Sequence, residues 1–105
     1  MQAQTINLSG TAPTFAAPSL SDTVPLGSCL VVKNASAGSI TVTIATTGTL
    51  ETGDDYPDKA YTVPAGQERW IPVNLPSYRP ANGSSAAAVT FSSVTSVTAA
   101  AIAQF

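Results

Sequence analysis

Ile40–Ala45 reads Ile-Thr-Val-Thr-Ile-Ala. Apolar β-branched residues fall on every second position, the period of a strand with one buried face and one wet face. The same texture recurs in Cys29–Asn34, Lys59–Val63, Gln67–Val73, Ala86–Ser92 and Val97–Ala103. In the alanine-rich residues 86–105, where composition would favour helix, repeated Val-Thr pairs and the lack of a clean i, i+3, i+4 stripe favour strand. Between these runs lie clusters of Gly, Pro, Ser and Asn, which interrupt pairing. Gln2–Leu8 adds a possible short strand. Six to eight short strands with no convincing helix predict an all-β fold: a small antiparallel β-sandwich or jelly-roll-like barrel.

The turn chemistry sharpens this picture. Ala35–Ser39 is a small-residue turn, and the runs on either side of it are expected to pair as a hairpin. Pro64-Ala65-Gly66 is a second tight reversal, with Gln67–Val73 as the returning strand. Ala86–Ser92 and Val97–Ala103 are joined around Ser93–Ser96. Before all of these, residues 1–26 carry Gly10, Pro13, Pro18 and Pro25. Each proline removes a ladder donor. The segment is expected to be an extended N-terminal arm with one or two short edge strands, followed by a sandwich domain over residues 27–105. Phe15 and Leu20 predict that the arm docks on something.

A chain of 105 residues makes at most one domain. Only 23 of its residues are Val, Ile, Leu or Phe, so alanine must fill much of a thin core. Thin cores often borrow stability from a partner or an oligomer.

The residues present exclude several chemistries. With no histidine and one cysteine, the chain can build neither a His-based triad nor a multi-Cys zinc site, and Cys29 has no intrachain disulfide partner. Cys29 is expected to be a small buried hydrophobe. The expectation is a protein that is not an enzyme, with no cofactor and no metal. The loop with Glu51, Asp54, Asp55 and Asp58 lacks the frame of a calcium loop and reads as a solvated face. Four scattered bases against six acids give a net charge of −2, so neither nucleic acid nor an anionic membrane is an expected partner. Met1–Gly10 has no Lys or Arg and no apolar run of signal-peptide length, which predicts synthesis and retention in the cytoplasm.

Binding residues are easier to nominate. Strand parity puts Ile71 and Val73 on one face and Trp70 on the other. If the first two point inward, Trp70 points outward, as a protein contact or a sugar platform; the remaining reading places it in the core. Tyr56, Tyr78 and Arg79 lie in two long loops, and Tyr and Arg are residue types that anchor interfaces. Phe15, Leu20, Tyr56, Trp70, Tyr78 and Arg79 are therefore the candidate partner-interface residues.

In order and texture the chain resembles the small decoration, or cement, and minor head proteins of tailed phages of the actinobacteriophage type. An Ala/Thr/Pro arm leads through Asp22-Thr-Val-Pro-Leu-Gly27 into Leu30-Val-Val-Lys-Asn34. Ile40-Thr-Val-Thr-Ile44, Thr62-Val-Pro-Ala-Gly66, Ile71-Pro-Val73 and the Val89–Val97 segment follow. The resemblance implies a non-enzymatic virion protein, made in the host cytoplasm, that binds the capsid exterior. Its implied partner is the major capsid protein, and its implied assembly is a homo-oligomer, with a trimer favoured. A tail or head–tail component, or a carbohydrate-binding module, is the alternative.

Overall fold

The computed structural model describes residues 1–6, 9–10, 12–48, 51–55, 57–80 and 83–103. Eight strands are present: β1 (Ala3–Thr5), β2 (Ser21–Pro25), β3 (Ser28–Asn34), β4 (Ile40–Ile44), β5 (Lys59–Val63), β6 (Glu68–Val73), β7 (Ala86–Phe91) and β8 (Val97–Ala103). One sheet has the order β1-β8-β3-β6 and the other β2-β7-β4-β5. This is the strand order of a jelly roll, with one departure: β1 runs parallel to β8. Among the described residues there is no α-helix, only a single 3-10 turn at Pro76–Tyr78, and so no helix long and apolar enough to cross a membrane.

Period-two patterning decides what enters the space between the sheets. Ile40, Val42 and Ile44 on β4 are buried there, as their alternation predicts. Leu30 and Val32 on β3, Val63 on β5, Ile71 and Val73 on β6, Val89 and Phe91 on β7, and Val97, Ala99 and Ala101 on β8 are among the residues that join them. Alanines let β8 approach closely where larger side chains would overfill a thin sandwich.

The expected hairpins do not form. β3 and β4 lie in opposite sheets, as do β5 and β6, and β7 and β8. Of consecutive strands, only β4 and β5 are hydrogen-bonded to each other. A tight turn fixes a reversal of direction but not whether the ladder continues. Crossing the gap lets the inner face of β3 meet the inner face of β4, which burial favours over lateral pairing.

Asn34 holds two of these crossings together. Its amide is 2% exposed and donates to the carbonyls of Gly38 (2.8 Å), Val63 (3.0 Å) and Pro64 (3.3 Å). Its Oδ1 accepts from the Ser36 amide at 3.0 Å and from the Ser36 hydroxyl. One side chain thereby ties the β3–β4 turn to the β5–β6 turn. Gly66, at φ +73°, supplies the left-handed residue that the second turn needs.

The N-terminal segment is not a free arm. It contributes β1 and β2, one edge strand to each sheet, and Val24 enters the core. Farther along, Ala16 pairs with Ala99 of β8 through reciprocal backbone bonds of 3.1 and 2.9 Å. The Met1 ammonium lies 3.2 Å from Asp22 Oδ1, joining the segment before β1 to β2.

Candidate functional site

The outer face of the β1-β8-β3-β6 sheet is unusual for a surface. Register places Gln4, Ile102, Cys29 and Pro72 in one cross-strand row. Ala100, Val31 and Trp70 form the next row, and Thr98, Lys33 and Glu68 the third. A solvated sheet face carries polar residues at such positions. Here the first two rows are apolar except for Gln4 and Cys29, and Val31 and Ala100 are buried although they point away from the core.

Part of the cover comes from the N-terminal segment. Gln4 Nε2 donates to the Thr14 carbonyl and Gln4 Oε1 accepts from the Thr14 amide, both at 2.7 Å. The side-chain amide thus imitates a strand's backbone and holds residues 13–15 on the sheet. Lys33 Nζ sits 3.8 Å from the centre of the Phe15 ring, a cation–π contact. Phe15 is accordingly half-buried against its own sheet.

The rest of the face is open. Trp70 is 59% exposed, and its indole N–H donates to Glu68 Oε2 at 3.1 Å, which fixes the ring's orientation. A cleft of about 140 Å³ runs between Trp70, Gln4, Ile6, Pro13 and Ile102. A shallower hollow of about 260 Å³ adjoins it, lined in part by Cys29, Pro72 and Asn74. Cys29 is therefore a half-exposed residue of the outer face rather than a buried core side chain. β3 presents its odd-numbered positions outward, and a run of consecutive apolar residues does not reveal that parity. Partial burial pushes the Cys29 thiol above its ordinary pKa, opposed by a hydrogen bond from the Ile71 amide.

The other nominated residues do not join this face. Leu20, 56% exposed, precedes β2, and its carbonyl accepts from the Phe91 amide at 2.8 Å. Tyr56 lies outside the described residues. Tyr78 is a correction: it is 2% exposed and belongs to the core, so it offers no surface anchor. Burial, reinforced by a hydrogen bond with the Tyr61 hydroxyl, pushes its pKa up to about 12. Its loop position reads as surface, but the 3-10 turn at Pro76–Tyr78 rolls the ring inward. Arg79 is exposed yet occupied locally, with Nη1 donating to the carbonyls of Gly83 (3.2 Å) and Ser84 (3.3 Å). Of the six, Phe15 and Trp70 share a face.

Two carboxylates of the acidic loop accept hydrogen bonds within the protein. Asp58 Oδ1 accepts from the Thr46 amide at 3.0 Å, and Asp54 Oδ2 from the Thr52 hydroxyl at 3.2 Å. Among the described residues no three His, Cys, Asp or Glu side chains cluster as a metal site.

Sequence reasoning missed Gln4, Ile6, Pro13 and Ile102. Ile102 carried a signal, since it shares parity with Ala100 and opposes Cys29, but only the register makes that usable. The arrangement is suited to adhesion: a flat ring beside an apolar cleft recognises shape and apolar surface. Comparison with protein-family models, curated proteins and solved structures finds no match for this chain.

Proposed function

We propose that the protein is a non-enzymatic structural component of a tailed phage that binds the outer surface of the capsid and reinforces contacts between capsomers. The observation that carries this reading is Trp70, exposed on an apolar sheet face. A monomer gains nothing by presenting such a face to water, whereas a lattice partner that covers it contributes burial that exists only in the assembled shell. Many copies then sum modest contacts into large reinforcement. The major capsid protein is the partner in this reading, the virion exterior the location, and self-association part of the design. Jelly rolls serve both capsid and lectin domains, so the fold supports the reading without selecting it.

The flat indole also suits a carbohydrate. Co-sedimentation with capsid shells of the encoding phage separates the two readings. The chain should pellet with shells, and Trp70→Asp should weaken binding at least about tenfold. Unchanged binding by Trp70→Asp would remove the face from the account. Glycan binding that requires Trp70, with no binding to shells, would favour the carbohydrate reading.

A further inference from the structure

The open edge of β6 has a donor–acceptor pattern that complements itself. β6 pairs with β3 on one side, and among the described residues no strand lies on the other. Asn34 N donates to Gln67 O and Gly27 N to Val73 O, so odd-numbered residues of β6 turn their backbone groups toward β3. Glu68, Trp70 and Pro72 consequently turn theirs toward the open edge. That edge presents two N–H donors, from Glu68 and Trp70. It presents two open acceptors, the carbonyls of Trp70 and Pro72. The third carbonyl, Glu68 O, already accepts from Arg69 Nη1 at 2.8 Å.

We propose that β6 is a self-association edge, pairing antiparallel with β6 of a second copy about a two-fold axis at Trp70. In this register each Trp70 N–H donates to the other copy's Trp70 carbonyl, and each Glu68 N–H to the other copy's Pro72 carbonyl. Both donors and both open acceptors are used. Pro72, which has no N–H, faces the one carbonyl that Arg69 has already satisfied.

Neighbouring registers are worse. An axis at Ile71 sets the Trp70 carbonyl against the Pro72 ring in the middle of the ladder and leaves that carbonyl without a donor. An axis at Arg69 puts two guanidinium-bearing residues directly opposite each other, and like charges there destabilise a pair. An edge proline ordinarily deters pairing. Here it selects one register instead.

The competing edge, β5, lacks this apolar reward. Its positions facing out of the core are Ala60 and Thr62. Pairing at β6 makes one continuous eight-stranded sheet with two Trp70 rings side by side on its outer face and an apolar cleft beside each. The inference does not depend on the capsid reading. It replaces the three-fold assembly that the resemblance implies with a two-fold one.

Cross-linking tests both the partner and the register. Residues opposed in a hydrogen-bonded antiparallel pair have Cα atoms about 5.5 Å apart, within disulfide reach. In a Cys29→Ser background, a mixture of the Glu68→Cys and Pro72→Cys chains should form a disulfide-linked dimer under mild oxidation, while each variant alone should not. Trp70→Cys alone should cross-link with itself. Sedimentation equilibrium of the unaltered chain should show reversible growth to twice the 10.6 kDa chain mass. Trp70→Lys should raise the dissociation constant at least about tenfold, and Thr62→Lys should leave it unchanged. A monomer at all concentrations, a trimer, or cross-linking indifferent to register would overturn the proposal, and the first two would leave the capsid experiment standing.

Discussion

The two long edges of the sandwich are built differently. The N-terminal edge, made by β1 and β2, is blunted. β1 has three residues, and β2 turns Ser21, Thr23 and Pro25 outward. Pro25 has no donor, and the Thr23 N–H donates to Asp22 Oδ1 at 2.8 Å. The opposite edge, made by β5 and β6, keeps the donors of Ala60, Thr62, Glu68 and Trp70 turned outward and unpaired among the described residues. Short strands, prolines and side-chain caps protect edges against unwanted pairing. β6 carries Pro72 and the Arg69 cap on Glu68 O as well, yet it keeps two donors and two acceptors free, and the pairing proposed above would use them.

The largest expected effect removes the support of the open edge. Asn34→Ala would remove the amide bonds to the Gly38, Val63 and Pro64 carbonyls and free the β5–β6 turn, costing about 2–4 kcal/mol in urea unfolding. A loss below about 1 kcal/mol would show that the two crossings hold without it.

Alkali attacks the same side. Tyr78 bonds to Tyr61 of β5, and its pKa is raised from 10.0 to about 12. The folded state then keeps its proton where the unfolded chain loses it. Stability is full below pH 10 and falls as pH rises through about 12, by roughly 2–3 kcal/mol in total. Tyr78→Phe should flatten that limb of the stability–pH curve.

Sequence alone reached part of this contrast. The alternation of Ile40, Val42 and Ile44 located the core, and the parity of Ile71 against Trp70 turned the indole outward. The crossings were illegible because turn residues encode reversal but not sheet membership. Tyr78 was misread because a Pro-rich loop reads as surface whether or not its ring rolls inward. Asn34 looked ordinary because its amide is satisfied by the Val63 carbonyl, 29 residues away. Residues 13–15 are held on the sheet by Gln4 clamping Thr14, ten residues away, a bond with no local signature.

Smaller effects belong to the blunted edge. Ala16→Pro removes the donor to the Ala99 carbonyl and should cost about 1–2 kcal/mol, together with faster exchange along β8. An unchanged unfolding midpoint would mean that the segment only rests on the sheet. Asp22 gives the smallest effect. Burial pushes its carboxyl pKa up, but hydrogen bonds from the Thr23 amide, the Met1 ammonium and the Ser19 amide outweigh it and hold the pKa below 3.8. Its contribution is present above that pH and is lost as pH falls through the lowered value. Asp22→Asn should cost under about 1 kcal/mol at neutral pH and remove that acid dependence. The two edges would then loosen at opposite ends of the pH scale.

Amide hydrogen exchange read residue by residue tests the contrast most directly. In dilute solution the Ala99 amide, bonded to Ala16, should exchange at least about a hundredfold more slowly than the amides of Glu68 and Trp70. Raising the protein concentration should slow Glu68 and Trp70 while leaving Thr23 unchanged. Equal protection of Ala99 and Trp70 in dilute solution, or concentration-dependent protection at Thr23 instead of Trp70, would contradict the account.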